Sequence, residues 1–167
     1  MQLEDLPLVR EWLGDPVAAQ WYLAGSSLDE QLEDLRQSIL GEEPTEVLVA
    51  AEDGQSIGWC QWYLCRDYPE HAAAVEAEPQ DVGIDYAIGE AARRGAGLGS
   101  ALIAALVSHI RQRYPQASVI SDPQASNVGS RKVLERNGFQ LVAERPLPSE
   151  PTPDPMAIYR LAPDVGH

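Results

Sequence analysis

Apolar residues recur every three to four positions in two stretches at the start of the chain. Leu3, Leu6, Val9 and Leu13 run through and beside "EDLPLVREWL", and Leu28, Leu32, Leu35 and Ile39 run through "SSLDEQLEDLRQSIL". This spacing predicts two opening helices, the second capped by Ser26 or Ser27. The pattern then changes to strand-like runs, "EVLVAAED", "QSIGWCQWYLCR" and "DVGIDYAIG", and the Asp53-Gly54 pair between the first two predicts a hairpin. Between the second and third runs, "DYPEHAAAVEAEPQ" reads as a loop of acids and small residues, a setting that often carries binding groups. Downstream the pattern predicts a helix over 97–113, a strand "ASVISD" and a helix "NVGSRKVLERNG" ended by Gly138. A strand "FQLVAE", a proline-rich connection and a last strand "MAIYRL" follow. Without repeats or a long linker, residues 1–167 read as one mixed α/β domain.

At 167 residues and 44% hydrophobic content, the chain can bury a real core. No run approaches the roughly 18 apolar residues of a membrane span. The start, "MQLEDLPLVREWL", lacks the basic-then-apolar order of a signal peptide. A cytoplasmic protein without a membrane partner is expected. Cys60 and Cys65, five apart along a strand, point to opposite faces, so they read as two structural thiols rather than a disulfide. His71, His109 and His167 form no spaced set with them, and no metal is expected.

Charge is divided along the chain. Residues 1–90 hold 20 of the 26 acids and 3 of the 12 basic residues, a balance of −17, whereas residues 91–167 carry +3. The acidic half would concentrate a cationic small molecule, and the half with Arg93, Arg94, Arg131 and Lys132 could neutralise an anionic one. The acids read equally well as solubilising. The overall sign disfavours a nucleic-acid partner.

The stretch "EAARRGAGLGSALIAALVSHI" puts arginines and alternating glycines before a helix. A Walker A loop would need Lys and Ser or Thr after its last glycine, where Leu98, Gly99 and Ser100 stand instead. For a dinucleotide fingerprint the third glycine comes one residue too early, and "GEAARR" separates the preceding strand from the turn, although Asp122 could imitate a ribose-binding acid. There remains Arg94-Gly95-Ala96-Gly97-Leu98-Gly99, in which glycines let backbone N–H groups approach phosphate oxygens, the helix N-terminus adds a favourable dipole, and arginines add charge.

This loop resembles the pyrophosphate loop of the GNAT family of N-acetyltransferases. The resemblance extends over the neighbouring "VGIDYAI", "SVISD" and "SNVGSRKVLERNGF", and so over nearly the whole chain. It implies an α/β GNAT fold: a mixed, mostly antiparallel central sheet with flanking helices and a splayed strand pair. It also implies acetyl-coenzyme A as co-substrate, held by Ile88, Arg93, Arg94, Gly95, Ala96, Gly97, Leu98, Gly99, Ser100, Asn127 and Arg131. Asn127 also suits an N-cap, and Arg131 a solvated face. Within the family, "IGWCQWYL", "GID", "SDPQASN" and "PDPMAIY" are most similar to aminoglycoside 6'-N-acetyltransferases. By that resemblance Asp85 would act on the substrate amine and Asp122 would bind another ammonium. Gln61, Tyr63 and Trp21 would line the acceptor pocket, with glutamates such as Glu78 facing a polycation, and acetylation would remove a charge the antibiotic needs for ribosome binding.

The chemistry asks for such residues. An amine of pKa about 10 attacks a thioester only when neutral, a cost of about 4 kcal/mol at neutral pH. A carboxylate in reach attracts the ammonium and accepts its proton. Asp85 fits both roles, and as a strand-end aspartate it also fits turn hydrogen bonding. Backbone N–H groups near Ile88 would hold the thioester oxygen, and neither cysteine need act as a nucleophile. One departure is clear: where the family has a tyrosine to protonate the leaving thiolate, Leu134 stands, and a leucine donates no proton. Ser126, Ser130 or water could substitute. Two alternatives stay open: the same fold acting on a polyamine, a siderophore precursor or a protein N-terminus, and a noncatalytic acyl-coenzyme A binding module.

Overall fold

The computed structural model describes residues 1–165 other than 24, 90–93, 96 and 151. Among the described residues, six strands form one sheet: β1 (Thr45–Glu52), β2 (Gln55–Leu64), β3 (Val82–Ile88), β4 (Val119–Ser121), β5 (Gln140–Arg145) and β6 (Met156–Leu161). The order across it is β1-β2-β3-β4-β6-β5, with β3 and β4 parallel and every other pair antiparallel. The β1–β2 hairpin turns at Asp53 and Gly54, both at positive φ, as a two-residue turn of this kind requires.

Helices accompany the sheet on both faces. α1 (Leu6–Gly14) and α3 (Leu28–Ile39) are the two expected from periodicity, and Ser27 with Glu30 forms a reciprocal capping box on α3. α2 (Pro16–Tyr22) was not expected; Asp15 accepts from the N–H groups of Val17 and Ala18, and Pro16 starts the helix. α4 (Pro69–Ala74) stands where a loop was expected, because Pro69 opens it and Ala72 and Val75 find a buried niche with Cys65, Ile120 and Ile158. α5 (Leu98–Arg113) and α6 (Val128–Arg136) pack on the opposite face.

Alternation along the strands sorts the sheet into two faces. Cys60, Trp62, Ile84, Tyr86 and Tyr159 join Leu102, Ile103, Leu106 and Leu134 in one core. On the other face Trp59 and Ala87 meet Val9, Trp12 and Leu13 of α1 and Leu32 and Leu35 of α3. Each fully buried Leu or Ile contributes about 2 kcal/mol by removal from water. The cysteines are free and buried on opposite sides, and burial pushes Cys60 up to about 11 and Cys65 to about 12, so both stay thiols.

The feature that positions the site is the shortness of β4. It pairs with β3 only through Val82–Val119 and Gly83–Ile120, so β3 runs on from Ile84 to Ile88 without that neighbour. Gly89 donates to Ile57, which makes residues 83, 85 and 87 the hydrogen-bonded partners of β2. The N–H and C=O groups of Ile84, Tyr86 and Ile88 therefore face the gap. Side chains reach the three carbonyls: Ser121 Oγ donates to Ile84, the Tyr22 hydroxyl to Tyr86, and Arg94 Nε to Ile88.

Candidate active site

Asp85 lies at the edge of this gap, on the face of β3 that looks toward α1 and α3. It sits opposite Gln61, whose Nε2 donates to Asp85 Oδ2 at 2.9 Å. Two residues earlier, Gly83 leaves room for the ring of Tyr63; a Cβ there would fall within the van der Waals radius of that ring. A cavity of about 420 Å³ opens above these residues, lined also by Asp34 of α3, His71 of α4, Asp122 and Glu150. A second, of about 260 Å³, shares Gln61, Asp85, Asp122 and Glu150 with it and runs to Trp21, Tyr86, Asn127 and Ser130. Together they join an acid-lined chamber to the gap between the splayed strands.

Three carboxylates meet here, and their environment is unlike water. Burial first and then the Asp122 charge push Asp85 up, the Gln61 hydrogen bond and His71 act in the opposite sense, and the net value is about 6. Glu150 is raised to about 7 by burial and by the charges of Asp122 and Asp85, with His71 lowering it. His71 Nε2 lies 3.5 Å from Asp122 Oδ1, and its Nδ1 meets Ser149 Oγ at 2.8 Å. The bond to Asp122 holds the imidazole above its usual range against the effect of burial. His71, expected to stand alone, is thus gathered with Asp122 and Glu150, their ligand-type atoms within 4.8 Å of one another. Such a wall suits a cation.

The glycine loop enters α5 as its pattern predicted. Gly95 and Gly97 have φ of 82° and 80°, conformations open to glycine, and Gly97 is the N-cap. The first-turn N–H groups of Leu98, Gly99 and Ser100 have no intrahelical acceptor, the usual provision for an anion. Ser100 receives the Asn137 side chain on both its carbonyl and its hydroxyl. Arg93 and Ala96 lie outside the described residues.

Two arginines expected at the phosphates are occupied within the protein. Arg94 Nη1 pairs with Asp15 Oδ1 at 3.0 Å and its other nitrogens reach the carbonyls of Ile88 and Gly89, strapping the loop to α2. Arg131 is neither a solvated face nor a free phosphate counter-charge. It donates to the Tyr159 hydroxyl and the Ala125 carbonyl and pairs with Glu144 at 2.7 Å. Asn127 caps α6 through Ser130 N–H and lines the narrower cavity as well.

Glu78 is not brought to the pocket. It is exposed in the turn before β3, where its N–H donates to Asp81, because α4 buries its alanine side and turns the neighbouring glutamates outward. Its place is taken by His71 on α4 and by Glu150 on the turn after β5. For His71 the overlooked signal is the helix start "PEHAAA", a proline at the first turn followed by alanines. Leu134, at the place of the expected tyrosine, is fully buried. A hydroxyl that reaches this region is that of Tyr86, 2.6 Å from Ser130 Oγ.

A six-stranded, mostly antiparallel sheet with a parallel pair that splays beside a glycine-entered helix defines a GNAT acetyltransferase, and the chain belongs to that family: the profile of the acetyltransferase (GNAT) domain matches residues 2–147. Among particular proteins, it is similar to the aminoglycoside N(6')-acetyltransferase type 1 of Klebsiella pneumoniae, 28% identical over 163 residues that cover 95% of this chain and 78% of that one. It is 26% identical to the lysine N-acyltransferase MbtK of Mycobacterium tuberculosis, over 96% of this chain and 74% of that one. Among solved structures, an aminoglycoside acetyltransferase in complex with coenzyme A and kanamycin superposes with a TM-score of 0.80 at 26% identity, covering 97% of this chain and 91% of that one.

Proposed function

We propose that this protein transfers the acetyl group of acetyl-coenzyme A to an amino group of aminoglycosides, at the 6' position, and thereby confers resistance. The observation that carries this reading is the chamber in which Asp85, Asp122 and Glu150 face the gap beside β3. It is joined by similarity to an aminoglycoside N(6')-acetyltransferase over nearly the full chain. A chamber of this sign attracts a polycation.

The acceptor ammonium is drawn to Asp85, whose pKa of about 6 makes it a carboxylate at neutral pH yet basic enough to take the proton as attack begins. The neutral amine attacks the thioester carbon, the C–S bond breaks, and the electron pair leaves on sulfur. Developing charge on the carbonyl oxygen is met by the N–H groups of Tyr86 and Ile88, which face the gap. The leaving thiolate accepts a hydrogen bond from the Tyr86 hydroxyl, with Ser130 at its back in the role expected of an α6 tyrosine. The pyrophosphate sits at the α5 N-terminus and its glycines, and Asn127 borders the pantetheine path.

Release of free coenzyme A thiol from acetyl-coenzyme A, measured with kanamycin, spermidine and lysine as acceptors, tests the reading. Turnover confined to kanamycin is expected, and mass spectrometry of its fragments gives the position. Faster turnover with lysine would favour the activity named for the mycobacterial relative, and thiol release with none of the three would refute acetylation of these amines.

A further inference from the structure

Of the three carboxylates in the chamber, two already have partners. Asp85 accepts from Gln61, and Asp122 faces the His71 imidazole. Glu150 has none: among the described residues its side chain takes part in no hydrogen bond or ion pair. Its position is nonetheless set by the backbone. The Leu147–Glu150 bridge closes the turn, Glu150 N donates to Leu147 O at 3.0 Å, and Thr152 N donates to Glu150 O at 2.7 Å. It lines both cavities. A half-buried carboxylate held beside two others with no cation of its own lowers stability, which points to a ligand charge as its partner.

Counting charges leads the same way. Where the two cavities overlap, Asp85, Asp122 and Glu150 face one imidazole, His71, so with the three carboxylates ionised and His71 protonated this overlap carries two uncompensated negative charges. The ammonium to be acetylated answers Asp85; one more positive charge is called for, and Glu150 is the carboxylate left to receive it.

We propose that Glu150 determines acceptor specificity by binding a second ammonium of the acceptor, beside the amino group that is acetylated, so that acceptors with two or more amino groups are preferred to single amines. The proposal rests on the reading that the chamber takes the acceptor. It adds a determinant contributed by the turn after β5, which the 6'-acetylation chemistry itself does not require.

Glu150→Gln keeps the shape and removes the charge. Calorimetric titration of the coenzyme A-bound protein with kanamycin gives the affinity, and thiol release with kanamycin and with 6-amino-6-deoxy-D-glucose, a single-amine acceptor, gives kcat and KM. The expected result is a Kd for kanamycin about tenfold weaker, the loss of one charge-assisted contact. The kcat/KM of the single-amine sugar falls by a clearly smaller factor than that of kanamycin. Glu150→Asp, which keeps the charge on a shorter stem, recovers part of the affinity and serves if the glutamine variant does not fold. Equal kanamycin affinity in wild type and Glu150→Gln, or equal losses for both acceptors, would overturn the proposal. Tight binding of kanamycin by the wild type without any acetylation would refute the proposed function instead, and the Kd comparison would still decide the role of Glu150.

Discussion

Replacing Asp85 by asparagine should raise stability and lower activity together. A pKa of about 6 in the folded protein against 3.8 for a free aspartate corresponds, at about 1.36 kcal/mol per pH unit, to about 3 kcal/mol. The sign follows from proton linkage. Because the folded-state value lies above the unfolded one, deprotonation favours the unfolded chain, and the wild type loses this stability as pH rises from 3.8 to 6. The introduced side chain accepts the same Gln61 hydrogen bond through its amide oxygen and has no proton to lose. At pH 7.5 the Asp85→Asn variant is then more stable by about 3 kcal/mol, a rise in Tm of roughly 6–12 °C for a chain of this size, and the difference fades below pH 4. Removal of a general base lowers kcat by about 10²-fold or more. Urea denaturation at pH 7.5 and pH 4, with thiol release on the same samples, measures both. A variant no more stable than wild type at pH 7.5 would refute the buried-charge argument, and undiminished kcat would remove Asp85 from the chemistry.

Gly83→Ala places a methyl group where the Tyr63 ring now lies; about 1–3 kcal/mol of stability is lost to overpacking, and acceptor KM rises while acetyl-coenzyme A KM holds, so an unchanged acceptor KM would show that the Tyr63 ring does not shape the pocket. Tyr86→Phe deletes the hydroxyl beside Ser130 and should lower single-turnover acetyl transfer by about tenfold or more, the effect of one donor to a developing anion; an unaltered rate in rapid-quench measurement would clear Tyr86 of that role. Because Arg94 is committed to Asp15 and to two carbonyls, Arg94→Ala and Asp15→Asn should show strong coupling in a double-mutant cycle on stability, with little change in acetyl-coenzyme A KM; a large KM increase would reveal direct phosphate contact. Kanamycin should raise Tm more at pH 7.5 than at pH 5, because Asp85 and Glu150, at about 6 and about 7, hold protons at the lower pH; differential scanning fluorimetry that finds the reverse would contradict binding to ionised carboxylates.

Much of this arrangement is legible in the sequence, and the boundary of legibility has a physical cause. Period-two alternation puts Gln61 and Tyr63 on one face of β2, and pairing across the sheet brings Asp85 opposite Gln61, so these residues could be named from local pattern with the family resemblance. The Asp53-Gly54 hairpin, the helix-entry glycines and the six strands in chain order are local too. Short helices are harder: α2 and α4 have no room for two turns of periodicity and depend on Asp15, on a proline at the first turn and on a few buried alanines. His71 and Glu150 escape because they meet only across the fold, one on α4 and the other on the turn after β5, 79 positions apart in number. The insertion of β6 between β4 and β5, which carries that turn over the site, is likewise a long-range fact.

Charge is the quantity the sequence represents least faithfully, because a residue's formal charge does not say whether it is already neutralised by a neighbour. The basic half of the chain suggested an arginine clamp on phosphate, yet Arg94 and Arg131 each answer a carboxylate and carbonyls of this protein. On the proposed reading, pyrophosphate affinity then falls to the glycine loop and the N–H groups at the start of α5. These are dipolar donors that bind without a long side chain to order. The acidic half divides the other way. Most of its carboxylates are exposed and keep water, while Asp85 is drawn into one chamber with Asp122 and Glu150 of the other half, where burial magnifies each charge. On the proposed reading, the draw on a cation where the two cavities overlap comes from three of the 26 acids. Neutralising any one of them should matter more to acceptor binding than removing both exposed glutamates of α3, Glu30 and Glu33.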